Sequence, residues 1–169
     1  SVANLPTLAG IANYEIKGDE KYAIVAQTMP RSPISEAFRT LRTAILFANV
    51  DRATSSILIT SANPSEGKSA TVANLGVVMA QAGHRVLIVD ADLRRPVQHR
   101  IFGVPNNNYG LTNLLVKMLI NEESENPAGE THELLEGAIH ETTQRTLYLL
   151  TSGSLPPNPA ELVGSAKMQ

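Results

Sequence analysis

Ser56-Ile57-Leu58-Ile59-Thr60-Ser61-Ala62-Asn63-Pro64-Ser65-Glu66-Gly67-Lys68-Ser69 opens on a short apolar run rich in β-branched residues and closes on Gly-Lys-Ser. The run Ser56–Thr60 has the composition of a buried strand. A Gly/Pro/Ser loop follows from Ser61 to Gly67. A helix then reaches Ala82, where Gly83 supplies the left-handed residue that stops it. Val86-Leu87-Ile88-Val89-Asp90 reads as a second buried strand. Strand, helix and strand in so short a span predict a βαβ unit. The sheet should be parallel, with a right-handed crossover and flanking helices.

The loop between the first strand and its helix fits the phosphate-binding pattern G-x-x-x-x-G-K-[ST] at its last three positions. Ala62 stands where the opening glycine usually does. That chemistry needs backbone N–H groups turned into a concavity in front of a helix N-terminus. Ala62, Asn63, Pro64, Ser65 and Glu66 would form the cradle, with Gly67 allowing close approach. Lys68 would reach the β- and γ-phosphates, and Ser69 would complete a Mg²⁺ shell. Ala70, next on the helix, closes the nucleotide-binding stretch. The fold class is therefore α/β, a P-loop NTPase-like parallel sheet flanked by helices, with ATP or ADP and Mg²⁺ as ligands. Two alternatives compete. A surface turn that only caps a helix would share the tripeptide. A dinucleotide fold would put an acidic residue near Asp90, but it needs three glycines and leaves Lys68 unexplained.

The second strand delivers Asp90 to its carboxyl end, the sheet edge at which ligands sit in open α/β sheets. Asp92, Arg94, Arg95 and Pro96 follow. Two carboxylates suit Mg²⁺ or its waters, and one could accept the proton of an attacking hydroxyl. The catalytic candidates are thus Lys68, Asp90 and Asp92, and the metal candidates Ser69, Asp90 and Asp92. The plainer alternative is that Asp90 caps the next segment and Asp92 pairs with an arginine.

The remaining signals are organisational. The 169 residues are 43% hydrophobic and 18% charged, enough for a domain with a core. A net charge of -2 argues against nucleic acid as a partner. Cysteine is absent, which excludes disulfides and thiolate metal sites. No apolar run suits a membrane span and no signal-peptide pattern is present, so the chain itself is expected to be soluble. It begins at Ser1 rather than Met, as an excised or processed piece would. Residues 1–31 read as an arm with little core of its own, and 32–169 as the body. A helix should start at Pro33 with Ser32 as N-cap and run to about Val50, its apolar face formed by Ile34, Ala37, Phe38, Leu41, Ile45 and Ala48. Further helices are expected near Val97–Phe102, Thr112–Ile120, Thr131–Ala138 and from Ala160. Leu147–Thr151 should be a strand, and residues 121–130 an acidic surface loop.

Three stretches together resemble the bacterial tyrosine kinases, P-loop autokinases of capsule and exopolysaccharide export. They are the phosphate loop, the run Val86–Pro96, which looks like that family's Walker A′ motif, and Glu36-Ala37-Phe38-Arg39-Thr40-Leu41-Arg42, similar to its E-x-x-R-x-x-R oligomerisation motif. Tyr109–Leu115 and Gly153–Leu162 support the likeness, which covers about residues 33–169. It implies phosphoryl transfer from Mg-ATP to tyrosine, regulating polysaccharide (capsule, exopolysaccharide, lipopolysaccharide) chain length and export. Asp90 would then be the better candidate to assist the tyrosine hydroxyl. Glu36, Arg39 and Arg42 would face a neighbouring subunit in a ring. At ~100° per residue they form a stripe roughly opposite the apolar face. The arm, with Leu5-Pro6-Thr7-Leu8-Ala9-Gly10-Ile11, resembles the juxtamembrane segment where kinase and membrane chain-length regulator are fused. That would place the parent protein at the cytoplasmic face of the inner membrane.

Departures from the family pattern matter too. No Walker B strand follows the Pro-rich turn Pro156-Pro157-Asn158-Pro159, and no tyrosine-rich tail follows either. Tyr14, Tyr22, Tyr109 and Tyr148 are scattered, and none reads as the acceptor. The chain is therefore expected to be a fragment that binds nucleotide poorly and transfers phosphate slowly. A regulatory module that binds ATP to control ring assembly, or a plain ATPase switch, is the rival function. Partition-type ATPases are a poorer match, because Asn63 occupies the position of their additional lysine.

Overall fold

Ser32 and Pro33 set the first long helix as expected. The Ser32 hydroxyl accepts the Ser35 N–H at 3.2 Å, which satisfies one of the donors a helix start leaves open. The computed structural model describes residues 6–14, 23–48, 55–106, 109–120, 132 and 135–164. They divide into two compact units, Ser1–Arg85 and Val86–Gln169. Tyr22, the acidic stretch 121–130 and Leu5 of the arm lie outside the described residues.

Among its described residues the first unit holds three helices, α1 (Val25–Thr28), α2 (Pro33–Ala48) and α3 (Lys68–Gln81). In α3 the six consecutive residues Ala73–Val78 are all buried, so this helix is covered around its circumference rather than on one stripe. Its end is a Schellman arrangement, as Gly83 predicted. Gly83 has φ 91°, its N–H donates to the Ala80 carbonyl, and the His84 N–H donates to Met79. The short α1 was not signalled by the sequence. Val25 and Ala26 are fully buried, so this part of the expected arm belongs to the core of the unit.

One expected element is missing. Ser56–Thr60 forms no strand among the described residues, and Leu58 is 88% exposed. β-Branched composition expresses fitness for a half-buried pleated surface, and among the described residues of the first unit no strand pairs with this run. The anticipated βαβ crossover through this run is therefore not observed.

The second unit holds β1 (Val86–Val89), α4 (Gln98–Phe102), α5 (Leu111–Ile120), β2 (Ile139–Glu141), β3 (Leu147–Leu150) and α6 (Pro159–Val163). Residues 135–138 are helical as well. The sheet order is β1-β3-β2. β1 runs parallel to β3 with Val86 opposite Leu147, and β2 runs antiparallel to β3 with Ile139 opposite Leu150. The sheet is thus mixed rather than purely parallel, because the unanticipated β2 enters close before β3. β1 was also expected to be buried on both faces. Instead Leu87 and Val89 are 46% and 44% exposed while Ile88 is buried, so one face is uncovered. Leu93, Leu111, Leu114, Leu115, Ala138 and Leu150 form the core of this unit, with Leu162 packed against it.

Candidate functional site

The phosphate loop is built almost entirely from local side-chain contacts. The Glu66 carboxylate accepts the Asn63 backbone N–H at 3.1 Å and the Asn63 amide at 2.9 Å. Ser61 Oγ donates to the Asn63 carbonyl at 2.8 Å, and Lys68 Nζ donates to Ser61 Oγ at 3.1 Å. The Lys68 ammonium therefore reaches back to the opening residue of the loop. The hydrogen bonds from Asn63 hold the Glu66 carboxyl below its ordinary range, with smaller help from Ser61 and the Lys68 charge. Gly67 is the N-cap of α3 in a left-handed conformation, φ 85°, and has no side chain to cap it. Ser69 and Ala70 lie in the first turn, both half-buried. Ser65 also has a positive φ, 65°, a region costly for a residue with a Cβ. Ala62 does not, so the missing opening glycine costs nothing in backbone conformation.

The acidic strand end is built differently. Asp90, 5% exposed, extends the β1 ladder by donating its N–H to the Leu150 carbonyl at 2.9 Å. Its Oδ2 accepts the Val97 and Gln98 N–H groups at 3.1 and 3.0 Å, and Oδ1 accepts the Asp92 N–H at 3.3 Å. Asp90 thus caps the start of α4, the plainer role weighed from sequence. Burial pushes its carboxyl up, against the pull of those backbone donors. Asp92 does not pair with an arginine side chain among the described residues. Its Oδ1 accepts the Arg94 and Arg95 backbone N–H groups at 3.3 and 3.0 Å. Asp92 lines an open pocket of about 480 Å³ with Leu93, Arg94, Pro159 and Ala160. His99 is held below its ordinary pKa by burial and by Arg100, while the Asp90 charge opposes them.

The structure therefore brings the loop residues Ala62–Ala70 together in the first unit, and Asp90 and Asp92 together in the second. Glu36, Arg39 and Arg42 do not form the single outward stripe expected of them. Arg39 pairs with Glu36 and donates to the Pro30 carbonyl at 2.8 Å. Arg42 turns onto α3 and donates to the Val78 carbonyl at 2.9 Å. That carbonyl is one of the last four of α3, which a helix leaves without an intrahelical partner, and the cation also suits that helix end.

Two arrangements were missed. Asn74, 1% exposed, accepts the Ala26 N–H at 2.9 Å and donates to the Ala70 carbonyl at 2.9 Å. Tyr14 also bonds to the Asn74 side chain, and burial raises its phenol pKa. A lone amide inside the apolar run Val72-Ala73-Asn74-Leu75 was the available signal. The second is the contact of Gly110 with Gly153. A Cβ on Gly110 would meet the Gly153 nitrogen at 2.2 Å. The Leu111 and Thr112 N–H groups donate to the Thr151 and Ser152 carbonyls at 2.8 and 2.9 Å, so the end of β3 caps α5. Asn113 accepts the Ser154 N–H at 3.2 Å, which ties the same two stretches.

A loop that presents a lysine and an uncapped helix start to an anion is what nucleotide binding requires, and the family comparison agrees. The model of the CobQ/CobB/MinD/ParA nucleotide binding domain matches residues 57–147, more than half of the chain. The chain belongs to that family. Among relatives of this CobQ/CobB/MinD/ParA-type domain, tyrosine-protein kinase YwqD of Bacillus subtilis (strain 168) is 47% identical over 146 residues, covering 86% of this chain and 55% of YwqD. The putative tyrosine-protein kinase CapB of Staphylococcus aureus is 43% identical, covering 82% of this chain and 54% of CapB. The chain thus spans about half the length of the curated relatives it matches. Among solved structures, the chimerical protein CapA2B2 superposes with a TM-score of 0.74 at 41% identity, covering 97% of this chain and 62% of the chimera. The kinase domain of Escherichia coli tyrosine kinase ETK gives 0.72 at 28% identity, with 96% and 62% covered. The α/β P-loop fold and the likeness to bacterial tyrosine kinases expected from sequence both hold.

Proposed function

We propose that the parent protein is an ATP-dependent protein-tyrosine autokinase that regulates polysaccharide chain length and export. The observation that carries this reading is Lys68 Nζ folded back over the Ser61–Gly67 loop in front of α3. A cation, a turn and a helix start suit a triphosphate. Lys68 and the loop N–H groups would hold the β- and γ-phosphates, and Ser69 would contribute its hydroxyl to Mg²⁺. Bound Mg²⁺ would neutralise charge on the phosphate oxygens. Among the described residues no three His, Asp or Glu side chains converge.

The two aspartates are suited to different roles. Both Asp90 oxygens are engaged by backbone donors and the group is buried, so Asp90 positions the turn. Asp92 lines the open pocket and is the better group to meet metal or to accept the phenolic proton. The tyrosine oxygen bonds to the γ-phosphorus, the β–γ bridging bond breaks, and ADP leaves with the electron pair. Glu36 and Arg39 offer an exposed charged pair for a second copy in a ring, while Arg42 acts within its own chain. A membrane chain-length regulator, fused or separate, is the proposed activator, at the cytoplasmic face of the membrane. Among the described residues no helix is long and apolar enough to cross it.

The test is incubation of the full-length parent with Mg-ATP followed by phosphotyrosine detection. Lys68→Met should lower the signal by roughly a hundredfold or more. Phosphate release without phosphotyrosine would replace the kinase reading with an ATPase switch.

A further inference from the structure

The turn after β1 carries charge that the phosphoryl-transfer reading does not use. Asp90 gives both oxygens, and Asp92 its Oδ1, to the turn's own backbone. Three arginines remain, Arg94, Arg95 and Arg100, all exposed, in a chain whose net charge is -2. None of the three forms an ion pair with a described acidic side chain. The two backbone bonds to Asp92 Oδ1 fix where Arg94 and Arg95 leave the main chain. Arg94 also lines the open pocket beside Asp92, whose other walls include the apolar side chains of Leu93, Pro159 and Ala160.

The open pocket of about 480 Å³, with an apolar wall beside Asp92 and Arg94, has room for a phenol ring. The Arg94 guanidinium in its lining, and those of the exposed Arg95 and Arg100 on the same stretch of chain, are fit to pair with carboxylates, in which planar two-point contacts are favoured. We propose that Arg94, Arg95 and Arg100 select acceptor tyrosines that lie in acidic sequence, pairing with Asp or Glu beside the tyrosine while the pocket next to Asp92 receives its ring. This deepens the tyrosine-kinase reading and rests on it for the identity of the acceptor. Exposed charges of this kind act mainly on selectivity and encounter, and their effect should fall with salt.

The test is direct binding at low salt, followed by fluorescence anisotropy, of two labelled peptides with the same tyrosine core. One has glutamates on both sides and the other glutamines. The acidic peptide should bind roughly fivefold more tightly, the sum of a few exposed pairs. The double variant Arg94→Gln/Arg95→Gln should erase the difference. Arg94→Glu/Arg95→Glu should reverse it in favour of a lysine-flanked peptide, with circular dichroism confirming that both variants fold. Equal binding of the two peptides to the unaltered chain overturns the proposal, as does a preference that survives the double variant. A tyrosine-free sulfated polysaccharide that binds through the same arginines while the peptides bind alike would make the patch a general polyanion surface and also overturn it. A preserved ratio without phosphotyrosine in the parent upholds the selective surface and removes the kinase reading instead.

Discussion

The phosphate loop and the acidic turn are both polar segments next to the start of a helix, yet they are held in opposite ways. In the loop, exposed side chains bond to one another, with Glu66 to Asn63 and Lys68 to Ser61. In the turn, a buried carboxylate gathers backbone N–H groups from residues 92, 97 and 98. Contacts of the first kind are exposed to water and cost little to exchange for a ligand. Those of the second kind are part of the core, and removing them leaves buried donors without acceptors. One segment can exchange its contacts for those of a ligand, and the other is built to stay as it is.

The largest expected effect tests the rigid half of that contrast. Asp90→Ala removes the acceptor of three backbone N–H groups and should cost roughly 2–4 kcal/mol of stability. Urea denaturation should show the midpoint falling without a change in slope. A loss under about 0.5 kcal/mol, the range of an ordinary surface site, would mean that water replaces the carboxylate and that the turn is no more built-in than the loop.

A smaller effect tests the yielding half. Gly67→Ala forces a Cβ onto a residue at φ 85°, and beyond the two chain neighbours no atom of a described residue lies within 4 Å of that Cβ. The stability cost is therefore backbone strain alone, about 1–2 kcal/mol. Calorimetric titration with Mg-ADP should show nucleotide affinity dropping by more than the tenfold that 1.4 kcal/mol represents, because the methyl group also stands where the phosphate approaches. Unchanged affinity would remove the loop from the binding site.

How much of this could be read from the sequence depended on whether the deciding contact was local. Ser32 capping α2, Gly83 ending α3 and Gly67-Lys68-Ser69 opening it are all settled within a few residues, and each was legible. Ser56–Thr60 shows the limit. Its composition is that of a strand, but a strand also needs a neighbour, which composition does not supply. Arg42 shows another. Helical geometry places it on a stripe with Glu36 and Arg39, whereas a carbonyl 36 residues away decides where its guanidinium goes. Gly110 and Gly153 were noticed only as parts of a likeness. That they must both be small follows from two backbones in contact across 43 residues of chain, with a built Cβ on one meeting the other at 2.2 Å. Of the acidic pair, the sequence placed both carboxylates at the strand end, and the family likeness favoured Asp90 for the tyrosine hydroxyl. The burial of Asp90 among backbone donors and the place of Asp92 in the pocket lining are why the proposal made here prefers Asp92.

The smallest expected effect is the most discriminating, because the two regions should respond to pH with opposite sign. Burial raises the Asp90 carboxyl above its ordinary 3.8. Its contribution to stability is then complete below that value and is lost as pH rises through the raised one. Hydrogen bonds from Asn63 lower the Glu66 carboxyl below its ordinary 4.5. Its contribution is present above 4.5 and is lost as pH falls through the lowered value. In denaturation series between about pH 3 and about pH 7, Asp90→Asn should therefore remove a gain in stability on acidification. Glu66→Gln should remove a loss, a slighter one, because an exposed group is screened by water. If the Asp90→Asn series instead loses a fall in stability on acidification, the carboxylate is favoured in its charged form by its three N–H donors. The turn would then already offer an anion-stabilising site of the kind assigned here to the loop.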